Sequence, residues 1–358
     1  MKLPCITMLA TLLLTVPAAA QLQITPPATT PSAPAEKQKP KPPAPAKKKK
    51  EAAPAPKPAA SPKPSPSPKP ATVIPAPPSD DSNVDLVFGA YQRGQYKTAF
   101  DLATVRAQGG DPKAMTMLGE LYSNAMGIRR DYAKAAEWYK RAADAGDREA
   151  MFALAMLRIS GRGGSVDKSE AVKLMASAAK LGEPKAAYNL ALLYLDGQTL
   201  PQDVKRSAEL LRQAADAGLP EAQYALATFY KEGTGVPKDP ERAVRLLQAA
   251  SLADNVDAEV EYAIAMFNGT GTPKNQPAAV ALLRKASRQG SAIAQNRLAW
   301  VLINGVGTSM DKVEGFKWHL VAKTSGKGDP ELDKQLSDLP AEDRAKAEAA
   351  ARKWLGSK

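Results

Sequence analysis

Four sets of residues in this sequence are of types that do chemistry. His319 is the one histidine. Ser165 with Lys168, and Ser309 with Lys312, form two S-x-x-K strings, the spacing at which penicillin-recognising enzymes carry their nucleophile. Asp131, Asp167, Asp203, Asp239, Asn275 and Asp311 recur in register, as metal ligands or general bases could. Gly161-Arg162-Gly163, Gly233-Thr234-Gly235, Gly269-Thr270-Gly271 and Gly305-Val306-Gly307 have the form of phosphate-cradling turns.

Context gives each set a structural reading. His319 stands in register with Tyr139, Met175, Leu211, Leu247 and Leu283, a packing column. Both S-x-x-K serines occupy one position of a repeat, where other units hold Arg129, Pro201, Pro237 and Pro273. The glycine pairs follow helical patterns rather than strands, so they read as helix ends needing positive φ. Pro240 follows Asp239, and Glu170 and Glu314 stand three residues after Asp167 and Asp311. Those are signatures of helix N-caps. Asp131, Asp167, Asp203, Asp239, Asn275 and Asp311 are thus expected to cap helices. No catalytic residue, cofactor site or metal site is predicted. A hydrolase of β-lactam-like substrates, using Ser165 or Ser309, is the remote alternative.

The repeat is the strongest signal in the chain. Ala114, Ala150, Ala186, Ala222, Ala258 and Ala294 are spaced 36 residues apart, as are Ala142, Ala178, Ala214, Ala250, Ala286 and Ala322. A glycine series from Gly110 to Gly326 keeps the same step and is broken only by Asp254. A fixed period of this size indicates a solenoid, in which each unit buries its apolar face by stacking on its neighbours. Each unit resolves into two helices. Helix A of the first unit, from about Ala114 to Asn124, carries Leu118, Leu121 and Tyr122 on one face. Helix B carries Ala135, Trp138, Tyr139 and Ala142 and closes at Gly146.

The pattern Ala114-x3-Leu118-Gly119-x2-Tyr122, then Asp131-x3-Ala135 and Ala142-x3-Gly146, resembles the Sel-one-like repeat family, relatives of the tetratricopeptide repeat. The resemblance implies an all-α, right-handed α/α superhelical solenoid that works as a protein–protein interaction scaffold. Exported members of the family regulate membrane sensors or serve envelope assembly. The resulting organisation is 1–20 signal peptide, 21–82 disordered Pro/Lys/Ala-rich linker, 83–111 tetratricopeptide-like cap, 112–330 six repeats, and 331–358 helical cap.

Positions 116, 120 and 123 of the first unit share a helix A face distinct from the packing face, and their columns vary between units. In the tetratricopeptide relatives that face lines the concave groove. The resemblance therefore implies a partner-binding groove floored by Phe152, Met156, Tyr188, Leu192, Tyr224, Ile264, Phe267, Trp300 and Ile303. The other reading of the same stripe is packing between successive A helices. Trp300 is the residue expected to be most accessible.

The N-terminal end predicts where the protein works. Lys2, the apolar run from Ile6 to Val16 and the small residues to Ala20 read as a secretory signal cleaved after Ala20. The apolar run is shorter than the roughly 20 residues a membrane span needs, so no transmembrane segment is expected after cleavage. Cys5, the one cysteine, would leave with the signal. Residues 21–80 hold nineteen prolines and ten lysines against Glu36, Glu51 and Asp80, so more than half of the chain's net charge of +12 lies in an extended spacer. The expected setting is the periplasm or envelope, with a protein or peptide partner, no nucleic acid, and no cofactor. An anionic cell-wall polymer bound through the Lys37 to Lys69 segment is the alternative.

Overall fold

The computed structural model describes residues 82–357, with side chains from Leu86 onward. The expected signal peptide (1–20), the expected linker to residue 81 and Cys5 lie outside the described residues. Sixteen α-helices and no strand occur among the described residues. The first hairpin is α1 (Ser82–Gln92) and α2 (Tyr96–Gln108). Six A/B pairs follow: α3 (Pro112–Asn124) with α4 (Tyr132–Asp144), α5 (Arg148–Ser160) with α6 (Lys168–Lys180), and α7 (Pro184–Asp196) with α8 (Val204–Asp216). Then come α9 (Pro220–Glu232) with α10 (Pro240–Leu252), α11 (Val256–Asn268) with α12 (Gln276–Arg288), and α13 (Ala292–Asn304) with α14 (Lys312–Thr324). The end of the chain forms α15 (Pro330–Ser337) and α16 (Ala341–Gly356). Sequence patterning indicates only the second of these last two helices.

Every helix from α2 to α14 packs on the helices just before and after it in sequence, which is the contact order of a solenoid. The departure is α16, which skips α15 and packs on α14. There Trp354 meets Trp318 edge to face at 5.0 Å, closing the last hairpin's apolar side.

Local chemistry sets the helix boundaries. Asp131, Asp167, Asp203, Asp239, Asn275 and Asp311 each accept a hydrogen bond from the amide three residues on, at 2.9–3.1 Å. Their own amides donate back to helix A carbonyls, from Tyr122 in the first unit to Leu302 in the last, which ties the start of helix B to its partner. A second capping column opens the A helices: Asp111, Asp147, Asn255 and Ser291 accept amides there. Glu183 and Leu219 hold the same position without a side-chain cap, and Pro184 and Pro220 follow them at the first helical position.

Packing between hairpins is close because two columns are small. Ala142, Ala178, Ala214, Ala250, Ala286 and Ala322 have no exposed surface. The second glycine of the inter-helix loop abuts the preceding unit: a Cβ on Gly235 would lie 2.6 Å from the Val204 carbonyl oxygen at the start of α8. That residue also has φ +67°, so glycine meets both a conformational and a spatial demand.

Candidate partner-binding face

The A helices present a row of side chains that the core does not fully consume. Phe152, Met156, Tyr188, Tyr224, Ile264 and Trp300 are half-buried: each is anchored against the core and shows an edge to solvent. These six lie in the 116 and 120 columns. Leu192, Phe267 and Ile303 do not belong to an open floor, with exposures of 7, 8 and 4%. The reason is clearest in the 123 column, which turns toward helix B of its own unit. A Cβ on Gly315 would lie 2.6 Å from Ile303 Cγ1, so Ile303 occupies the space that Gly315 vacates. In the first unit the Ser123 hydroxyl similarly sits 3.3 Å from the Tyr139 hydroxyl of α4. Leu192 lies in the 120 column, one turn after Tyr188 on the same face.

The polar chemistry of the open face centres on two phenols. The Tyr188 and Tyr224 hydroxyls form no hydrogen bond among the described residues, and neither is enclosed. Burial raises the Tyr188 pKa, with Glu221 adding to it. Burial likewise raises that of Tyr224, reinforced by Glu261, Asp257 and Glu232. Both phenols therefore keep their protons and act as donors. The Trp300 indole N–H is also without a protein partner among the described residues, so it is half-buried and chemically open rather than fully exposed. The middle of the face is thus aromatic, rich in free donors and bordered by carboxylates.

At the N-terminal end the same columns open into a hollow of about 290 Å³ between α1, α3 and the start of α5. Val87, Phe88, Thr116, Met117 and Glu120 line it. Phe88 is 50% exposed. Lys113 stands at the rim between Asp147 at 2.9 Å and Glu149 at 3.4 Å. Burial opposes its charge, and the two carboxylates outweigh burial and raise its pKa. Sequence reasoning missed this hollow because Thr116 and Glu120 are not anchor types. The adjacent apolar residues Leu86 and Phe88 at the start of the first hairpin were the available signal.

The residues singled out for chemistry are dispersed. Ser165, Lys168, Ser309 and Lys312 are exposed, and no hydrogen bond joins either serine to its lysine. His319 is fully buried, with Nε2 at 2.9 Å from Asp333 Oδ1 on α15, and it fastens that helix to α14. No three His, Cys, Asp or Glu side chains among the described residues are grouped to hold a metal. No helix among them is long and apolar enough to cross a membrane.

Comparison with known proteins gives the same units. A family model described as Sel1 repeat matches residues 112–147, 148–183, 184–219, 220–255, 256–291 and 292–326. A Sel1 repeat protein from Oxalobacter formigenes superposes with a TM-score of 0.58 at 25% identity, covering 67% of this chain and 96% of that one. A protective antigen present in uropathogenic Escherichia coli strains, displaying an SLR fold, gives 0.52 at 23% identity, covering 78% and 69%. No curated protein sequence matches the chain.

Proposed function

Since the chain belongs to the Sel1 repeat family, whose members are in general protein–protein interaction scaffolds, we propose that it binds an extended segment of a partner protein along the open face of its A helices, without catalysing a reaction. The observation that carries this reading is the row of half-buried anchors with unused donors at Tyr188, Tyr224 and Trp300. Aromatic side chains fixed by packing lose little entropy on binding, and a free phenol can bond a partner's main chain. Glu261 is already paired with Lys231 at 3.1 Å, whereas the carboxylates of Glu221 and Asp257 favour a segment carrying lysine or arginine at the middle of the face.

The test is photocrosslinking from a photoreactive residue placed at Trp300, with a second at Lys140 on helix B as control. A specific adduct from position 300 that disappears when Phe152 and Tyr188 are changed to alanine supports the reading. Identical adducts from both positions, unaffected by those changes, count against it.

The leader-like residues 1–20 and the proline-lysine stretch that follows support a periplasmic or envelope setting, where such a scaffold would regulate a membrane sensor or envelope assembly. Cell fractionation tests this directly. A second reading rests on the ten lysines of residues 21–80, which suit an anionic cell-wall polymer. Sedimentation with purified peptidoglycan, lost in a variant beginning at Asp81, would favour it.

A further inference from the structure

Two arginines converge on one buried phenol, and a third lines the same cavity, at the junction of the third and fourth repeat units. Arg212, near the end of α8, and Arg242, in the first turn of α10, both donate to the Tyr230 hydroxyl of α9, at 3.2 and 3.4 Å. Arg245, one turn after Arg242, lines with them an open cavity of about 340 Å³ that Asp216 and Leu246 also border. Tyr230 is 5% exposed. Burial opposes its ionisation, yet the hydrogen bonds from Arg242 and Arg212 outweigh burial and bring its pKa below the ordinary phenol value. Both bonds use the phenol oxygen as acceptor, so the hydroxyl proton is left without an acceptor among the described residues.

Positive charge is in excess here. Arg242 is paired with Asp239 at 3.0 Å, whereas Arg212 and Arg245 form no ion pair among the described residues. Nor is the cluster a by-product of the repeat. At the next junction the equivalents of Arg212, Arg242, Arg245 and Tyr230 are Gln248, Ala278, Ala281 and Met266, and no other junction collects three arginines. We propose that this cavity is a receptor for an oxyanion, a phosphoryl or carboxylate group, held by the guanidinium donors of Arg212, Arg242 and Arg245 and by the O–H of Tyr230. Guanidinium groups match such oxygens two at a time, and each bond is charge-assisted. The site stands apart from the proposed partner-binding face, because none of its residues lies in the 116, 120 or 123 columns.

Calorimetric titration of the full chain with inorganic phosphate, and separately with succinate, tests this. Binding of either anion that weakens about tenfold or more in Arg245→Ala, and also weakens in Tyr230→Phe, supports the site. The anion that binds more tightly identifies the source. Arg284→Ala, the equivalent of Arg212 two units along, should leave binding unchanged, as should the melting temperature of Arg245→Ala. A second readout is the ultraviolet titration of Tyr230, which a bound anion should move to higher pH. Absence of binding by both anions, or binding that Arg245→Ala leaves intact, overturns the proposal.

Discussion

Replacing Gly119 with alanine tests how the two helices of a unit interlock. Glycine inside a helix costs about 1 kcal/mol relative to alanine. Alanine also stands at the equivalent position in each of the other five units. Both considerations favour the substitution, and the structure reverses the sign. A Cβ at position 119 would lie 2.5 Å from Cε1 and 2.6 Å from Cδ1 of Tyr139. That is about 1 Å inside the ordinary carbon–carbon contact of about 3.5–4.0 Å. Tyr139 is buried against α3, so the ring has little room to swing aside. Overpacking of this kind costs about 1–3 kcal/mol. Set against the helix gain, the net expectation is a loss of about 1 kcal/mol. Circular dichroism should show a melting temperature lower by about 2–4 °C. The other units contain the repair: where alanine replaces Gly119, the Tyr139 column holds Met175, Leu211, Leu247, Leu283 or His319. Gly119→Ala combined with Tyr139→Leu should therefore show a favourable coupling of about 1 kcal/mol in a double-mutant cycle. The phenol supplies an independent readout, because burial pushes the Tyr139 pKa up to about 12 and a displaced ring would titrate lower. A single variant that melts higher than the parent, together with additive energies, would refute the interlocking.

Three further outcomes follow from the same geometry. Ala125 ends α3 with φ +57°, where the other five units place glycine; Ala125→Gly should raise stability by about 1 kcal/mol in thermal unfolding. Lys285 holds the fully buried Glu259 at 3.0 Å and the exposed Asp254 at 3.0 Å. Lys285→Ala should then cost about 3 kcal/mol in denaturant unfolding by stranding Glu259, and Glu259→Gln, the residue type at 223 and 295, should recover most of it. Asp333 has its carboxyl pKa lowered by hydrogen bonds from Lys323 and then His319. Its contribution should be complete above about pH 4, the unfolded value, and fade as pH falls through the lower folded value. An Asp333→Asn variant whose deficit relative to the parent stays constant down through that range would contradict this.

The two sides of each unit divide the work. Helix B is amphipathic and fixes spacing through its alanine column, while helix A carries the columns that differ from unit to unit. A solenoid tolerates such variation on one face because stability is carried by contacts between sequence neighbours. The open A-helix face and the arginine cavity are both departures from the repeat average. Each arises where a unit holds residues that its neighbours do not.

Period, hairpin and helix boundaries were legible in the sequence because they depend on interactions within about four residues, written six times over. Alanine at 114 and 142, glycine at 110 and 146, and an acid or amide at 131 each state a local backbone requirement, and their recurrence removes ambiguity. What tertiary structure alone decided was the destination of side chains that contact residues about 12 to 30 positions away. Helical spacing puts 116, 120 and 123 on one face, yet Ile303 fills the gap left by Gly315 while Trp300, three residues before it, keeps an open edge. The hollow beside Phe88 and the arginines around Tyr230 are likewise assembled from two or more units each. Their residues are ordinary in their own helices and acquire a role only through the size and charge of what the next hairpin sets against them.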